Sequence, residues 1–105
     1  TRLQALSLHE PALKECLTHA DLIINATSLG WQPEDTPLDA ALIPSDCLVF
    51  DMVYRPTRLQ REAAARGART LDGAGMLVRQ AALAFEYWTG QAAPFDVMWL
   101  AFHNV

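Results

Sequence analysis

The spacing of apolar and polar residues changes several times along the chain and divides it into short elements. Residues 3–8 alternate, with Leu3, Ala5 and Ser7 against Gln4, Leu6 and Leu8, which predicts a short strand. Ser7 or His9 stands where a helix cap belongs. Pro11 suits a first helical turn, where its missing donor has no partner to lose, and Leu13, Cys16, Leu17 and Ala20 form the apolar stripe of that helix. Asp21-Leu-Ile-Ile-Asn25 reads as a strand that is apolar on both faces, the pattern of a parallel sheet. Gly30, Pro33, Glu34, Asp35 and Pro37 exclude regular structure from residues 29–37, and a helical turn is expected at 38–42, ended by Pro44. Residues 47–53 form a second strand, apolar except for Asp51.

Thr57 with Gln60 three residues later is a capping box. The helix it opens runs through Leu59 and Ala63 to Arg66, and Gly67 supplies its left-handed stop. A short third strand is expected at 68–71. Gly73-Ala-Gly75 then turns the chain into a long helix over 76–89, closed by Gly90, and a last helix spans 94–102. Short apolar strands alternating with helices predict an α/β fold with a parallel sheet and helices on its faces.

The remaining composition narrows the class without changing it. About half of the 105 residues are apolar and 19% are charged, which suits a globular domain with a core. A chain of this length is expected to bury about two-thirds of its unfolded surface. A net charge of -4 gives no basic footprint for nucleic acid. No apolar run reaches the ~18 residues of a membrane span. Cys16 and Cys47 have no metal-ligand spacing and read as buried free thiols. With no secretory signal at the start, they point to a cytoplasmic location. The chain opens at Thr1 in the middle of an alternating pattern, so truncation of a longer chain is expected.

In open parallel sheets, ligands bind beyond the carboxyl ends of the strands. Polar or glycine-rich turns follow the strands at 22–24, 48–50 and 69–71: Asn25-Ala-Thr-Ser-Leu-Gly30, Asp51-Met-Val-Tyr54 and Asp72-Gly-Ala-Gly-Met76. Each also has a plain structural reading. Short polar residues after a strand form Asx or Ser/Thr turns. Asp51 alone reads best as an acceptor for neighbouring backbone donors, and Gly73 and Gly75 permit a tight strand-to-helix turn. On the long helix, Leu77, Ala81, Ala84, Phe85 and Trp88 share one face, widened by Met76, Leu83 and Tyr87. Gln80 sits at the edge of that face. Its amide needs partners, either its own backbone and solvent or a hydroxylated ligand. His9, His19 and His103 have no nucleophile or carboxylate arranged about them. Arg55, Arg58, Arg61, Arg66 and Arg69 read as a solvated face.

Asn25-Ala-Thr-Ser-Leu-Gly30, Phe50-Asp-Met-Val-Tyr54, Asp72-Gly-Ala-Gly-Met-Leu-Val-Arg-Gln-Ala81 and Ala82-Leu-Ala-Phe-Glu-Tyr-Trp-Thr-Gly90 closely resemble the shikimate dehydrogenase family, in order and in spacing. The resemblance covers nearly the whole chain. It implies part of a doubly wound, Rossmann-like parallel sheet with C-terminal helices. Residues 1–75 would be the second half of an NADP-binding domain, and residues 76–105 helices that pack toward an amino-terminal substrate domain. It further implies reversible NADP-dependent reduction of 3-dehydroshikimate to shikimate in aromatic amino-acid biosynthesis. Asn25, Thr27 and Ser28 would lie beside the cofactor's ribose and phosphates. Met52 and Gly73 would flank its nicotinamide, with Met76 nearby, and Tyr54 and Gln80 would meet the substrate.

The family's catalytic Lys and Asp, and its glycine-rich phosphate loop, have no counterpart in the chain. Lys14 is its single lysine and matches no catalytic motif. The resemblance therefore implies that the chain alone is inactive. In the strand order 3-2-1-4-5-6, the strand at 3–8 would be third and that at 22–24 fourth, with the two between them missing. The first strand is then expected to shift onto the open edge, or a second copy to pair there. The last helix, with Phe95, Met98, Trp99 and Phe102, would leave an apolar patch. A non-catalytic nucleotide- or ligand-binding module and a quinate-preferring paralogue are the alternatives. A domain like that of glutamyl-tRNA reductase shares a similar strand end, but the Gln80 helix and the Asp72-Gly73 turn argue against it.

Overall fold

Leu, Ile, Val and Phe crowd two short strands in the pattern of a parallel sheet, whose strands are commonly covered on both faces. In the computed structural model, which describes residues 2–104, these runs are β1 (Leu22–Asn25) and β2 (Leu48–Asp51), and β3 (Arg69–Leu71) follows. All three are parallel, in the order β1-β2-β3. Leu22 pairs with Leu48 and Asn25 with Asp51, while Phe50 pairs with Leu71. This register brings the three carboxyl ends to one rim of the sheet.

The core lies on one sheet face. Ile43, Cys47, Val49, Leu59, Ala63 and Ala68 pack together, with Ile23, Leu38 and Ala40 against them. Leu59 and Ala63 belong to α2 (Arg58–Ala65), and Leu38 to Ile43 come from the segment around a 3-10 turn (Ala40–Leu42). Thr57 caps α2 by accepting from the Gln60 N–H at 3.2 Å. The Gln60 amide donates to the Arg55 carbonyl instead of returning to the cap, so only half of the expected box forms. Gly67 ends this helix at φ +92°. The arginines are not simply a solvated face: Arg58 and Arg61 donate to the carbonyls of Glu34 and Pro33 and tie down the proline-rich loop, and Arg66 donates to the carbonyl of Ile43.

Beyond β3 the chain forms α3 (Ala74–Thr89) and α4 (Phe95–His103), which pack on each other. Among the described residues no helix is long and apolar enough to cross a membrane.

Four expectations are corrected. Cys16, expected to be buried, is exposed, while Cys47 is buried. Residues 3–8 form no strand: the chain is irregular until α1 (Pro11–Thr18), which follows Glu10 without a side-chain cap. Ser7 is spent locally, taking the His9 N–H on its hydroxyl while its own N–H goes to the Glu10 carboxylate. Among the described residues nothing therefore pairs with the outer edge of β1, and a shifted first strand does not cover it. The buried line of α3 is Ala74, Val78 and Ala82, with Trp88 and Tyr87 exposed. Finally, the accessible surface is 7581 Å², so the chain buries about 55% of its unfolded surface rather than two-thirds. The second sheet face explains the shortfall: Leu22, Ile24 and Leu71 on it are half-exposed.

Candidate functional site

The three turns meet at the carboxyl ends of the strands. The Met52 N–H donates to the Asn25 carbonyl at 3.1 Å, and the Gly73 N–H donates to the Val53 carbonyl at 3.0 Å. Backbone bonds thus join the turn after β1 to the turn after β2, and that turn to the start of α3.

A buried polar network holds the first two turns. Asp51 is fully buried and accepts at both oxygens. Its Oδ1 takes Asn25 Nδ2 and the Val53 N–H, each at 3.1 Å, and its Oδ2 takes the Thr57 hydroxyl at 2.7 Å. Asn25, 3% exposed, also donates to the Leu29 carbonyl at 2.9 Å. Its Oδ1 accepts from the Thr27 N–H at 3.1 Å and from the Thr27 hydroxyl at 2.7 Å. Both amide hydrogens and both lone pairs of Asn25 are engaged, so what it shapes is the loop. Thr27 in turn accepts from the Leu29 N–H at 3.1 Å. Sequence reasoning recognised Asp51 as a backbone acceptor and missed Thr57 as its partner, although the Thr-x-x-Gln signal that marked the cap named the same residue.

Gly73 is required by a close approach. A β-carbon there would sit 2.6 Å from the carbonyl carbon of Met52 and on top of its oxygen. Asp72 accepts from the Ala74 N–H at 3.0 Å and closes the first turn of α3. This packing sets Met52 and Met76 beside the glycine with their side chains 37% and 43% exposed. Ser28 is also exposed.

Tyr54 is enclosed by rings. Trp31, from the turn after β1, meets it edge-on at 5.0 Å between centroids, and Phe102 of α4 meets it edge-on at 5.9 Å. The Arg55 guanidinium lies 5.8 Å from the Trp31 centroid and 5.9 Å from that of Tyr54. Tyr54, Arg55, Pro56, Leu77, Phe102 and His103 line a cavity of about 470 Å³. Gln80 lies one turn along α3 from Leu77, exposed, with Nε2 donating to the Leu77 carbonyl at 3.0 Å. Its amide therefore has no buried partner to find, and among the described residues its oxygen makes no hydrogen bond. Burial pushes the Cys47 thiol pKa up, and the charge of Asp46 adds to it.

Three parallel strands whose polar or glycine-bearing turns share one rim, followed by a long helix, define part of a doubly wound α/β protein of the Rossmann-like class. Residues 73–99 match the family model of the shikimate 5'-dehydrogenase C-terminal domain. The NADP(+) shikimate dehydrogenase of Symbiobacterium thermophilum is 50% identical over 90 residues, which are 81% of this chain and 31% of that protein. The solved shikimate 5-dehydrogenase of Thermus thermophilus, in complex with NADP(H) and shikimate, superimposes with a TM-score of 0.77 at 40% identity. The match covers 87% of this chain and 36% of that one. A quinate dehydrogenase from Corynebacterium glutamicum in complex with NAD reaches a TM-score of 0.79 at 34% identity, over 89% and 34% of the two chains. The chain belongs to the shikimate dehydrogenase family, and it spans about a third of the length of the relatives it matches.

Proposed function

We propose that the chain supplies the second half of the cofactor-binding sheet, and part of the substrate cleft, of an enzyme that interconverts 3-dehydroshikimate and shikimate with NADP. One observation carries this reading: the turns at Thr27, Met52 and Gly73 are joined side by side on one rim. That is where parallel sheets bind ligands. The division at residues 1–75 and 76–105 follows, with α3 and α4 facing the remaining domain.

The residues fit one end of the cofactor. Exposed Met52 and Met76 offer polarizable apolar surface beside Gly73, where a flat ring would lie. Ser28 has an exposed hydroxyl, and Asn25 and Thr27 act by shaping the loop that presents it. When bound, NADP supplies the hydride chemistry. Tyr54 and Gln80 orient the substrate: among the described residues neither the phenol nor the Gln80 oxygen makes a hydrogen bond. No group here is arranged to move a proton in concert with the hydride, so the chain alone is inactive on this reading. Free Cys16 and Cys47 suit a reducing, cytoplasmic setting. The open β1 edge favours association, with the rest of the enzyme or with a second copy.

The quinate dehydrogenase likeness favours one second reading, a quinate-preferring paralogue. Isothermal titration of the chain with NADP, shikimate and quinate, with and without the amino-terminal two-thirds of the T. thermophilus relative, separates these readings. Turnover restored only by the added portion, with shikimate ahead of quinate, is the expected result. Binding without any rescue of turnover would instead make the chain a non-catalytic ligand-binding module.

A further inference from the structure

We propose that Trp31 is a positioning residue that fixes the orientation of Tyr54 at the rim, with Phe102 completing the clamp from α4. Tyr54 lies in irregular backbone between β2 and α2, and no hydrogen bond among the described residues holds its hydroxyl. A ring so placed has several staggered wells to choose from. Only packing selects among them here, and that packing comes from two distant segments and from the adjacent Arg55. Trp31 approaches edge-on at 5.0 Å and 74°, and Phe102 approaches edge-on at 5.9 Å and 75°. The guanidinium of Arg55 rests 5.8 Å from the Trp31 centroid and 5.9 Å from that of Tyr54. Edge-to-face contacts are directional, so they choose an angle as well as a place. The clamp also gives α4 a task at the site: its Phe102 reaches the loop after β2, and the same helix end closes the Tyr54 cavity through His103.

The inference rests on the reading that Tyr54 meets the substrate, and the test keeps the two apart. In the chain joined to the amino-terminal two-thirds of the T. thermophilus relative, Tyr54→Phe is expected to lower kcat/KM for shikimate while leaving the KM for NADP unchanged. If it does not, the assignment of Tyr54 to the substrate fails, whatever Trp31 does. Trp31→Ala is expected to lower kcat/KM for shikimate by about fivefold, the factor one edge-to-face pair is worth. Trp31→Phe restores most of it, and the effect of Trp31→Ala disappears when Tyr54 is already Phe. A Trp31→Ala loss that persists undiminished in the Tyr54→Phe background, or that moves the KM for NADP equally, overturns the positioning role. A second measurement needs no turnover. Of the two tyrosines in the 105-residue chain, Tyr87 is 87% exposed and serves as an internal reference. The ring signals of Tyr54 in carbon-13 tyrosine spectra should be displaced from those of Tyr87, and should collapse toward them in Trp31→Ala but not in Trp31→Phe. Coincident Tyr54 and Tyr87 signals in the unaltered chain would overturn the clamp.

Discussion

Asp51 is the residue whose loss should be felt most, and the structure fixes the order in which its variants suffer. Asp51→Ala deletes the acceptor for Asn25 Nδ2, for the Val53 N–H and for the Thr57 hydroxyl. Three hydrogen bonds at a net ~1 kcal/mol each account for about 3 kcal/mol, and a stranded buried donor at Val53 adds about 1 kcal/mol or more. Asn25 keeps the Leu29 carbonyl, so it is not fully orphaned. Asp51→Asn keeps the shape and one oxygen. That oxygen serves Asn25 and Val53, while the new amide group faces Thr57 Oγ1, which already accepts from the Gln60 N–H. The hydroxyl can accept a second time but its own proton loses its partner, at a cost of about 1 kcal/mol. Thr57→Val removes one Asp51 bond and the cap of α2, together about 2 kcal/mol. Urea unfolding followed by far-UV circular dichroism should therefore rank the losses Ala, then Val, then Asn. With a slope of about 1–3 kcal/mol per molar urea, the midpoint for Asp51→Ala falls by about 2 M or its folded baseline vanishes. The double variant of Asp51→Ala and Thr57→Val should lose less than the two singles together, because they share a bond. If Asp51→Ala unfolds within roughly 0.5 M of the parent chain, about the resolution of so small a change, the network is not what holds the rim.

Gly73→Ala must push the Met52 carbonyl away and strain the Gly73–Val53 hydrogen bond. About 2 kcal/mol is expected, or a melting temperature lower by roughly 10 °C, and a parent-like melting curve would contradict the close approach. Cys16 is exposed and Cys47 buried, so a thiol reagent should label Cys16 quickly and Cys47 only on unfolding; equal rates would contradict that burial. Because the folded chain holds the Cys47 proton more tightly than the unfolded chain does, the unfolded state binds fewer protons above the ordinary thiol pKa of about 8.5. The contribution of Cys47 to stability is then complete below that pH and lost as pH rises through the folded value. Cys47→Ala should flatten this part of the stability profile, although it lowers stability at every pH.

What the sequence made legible was the part governed by local rules. Leu22 to Asn25 and Leu48 to Asp51 read as strands because an unbroken apolar run bounded by turn residues has few other uses. Gly67 and Gly90 were readable as helix stops, and both sit at positive φ. Residues 3–8 misled because alternation states which side chains match a half-buried face, and nothing in it says that a sheet edge is present to receive them. The buried line of α3 was misjudged for a related reason. Counting large side chains points to Leu77, Phe85 and Trp88, but the buried positions are Ala74, Val78 and Ala82, whose side chains are smaller. The Asn25–Asp51–Thr57 network was half visible. Each residue announced a turn or a cap on its own, and only the register of Asn25 opposite Asp51 shows that they satisfy one another. Trp31 carried no signal beyond being an aromatic residue in a proline-rich loop, and its partner Phe102 lies in the last helix, far along the chain.

The one-sided core explains why a polar network, and not apolar packing, secures the rim. A folded monomer of 11.6 kDa exposes about 5,800 Å², and this chain exposes 7581 Å². Its radius of gyration is 16.4 Å, against about 13 Å for a compact domain of this length. Much of the excess is identifiable: Leu22, Ile24 and Leu71 on the second sheet face, Leu83 and Trp88 on α3, Val97 and Leu100 on α4. Covering even about 500 Å² of apolar surface is worth about 12 kcal/mol before the entropy of association is subtracted, comparable with the whole stability of a small domain. On the reading proposed above, that surface belongs to the other two-thirds of the enzyme, and docking would stabilise the sheet strongly. The rim needs no such help to be shaped. Asp51, Asn25 and Thr57 satisfy each other within the chain, and Gly73 is fitted against Met52 by backbone contacts alone. Adding the complementary portion should therefore raise the melting temperature of the chain and protect the amides of β1 and α3 from exchange, while those of Val53 and Gly73 are protected already. Slow exchange at Val53 and Gly73 appearing only after addition would mean that the rim is built by docking and not by this sequence.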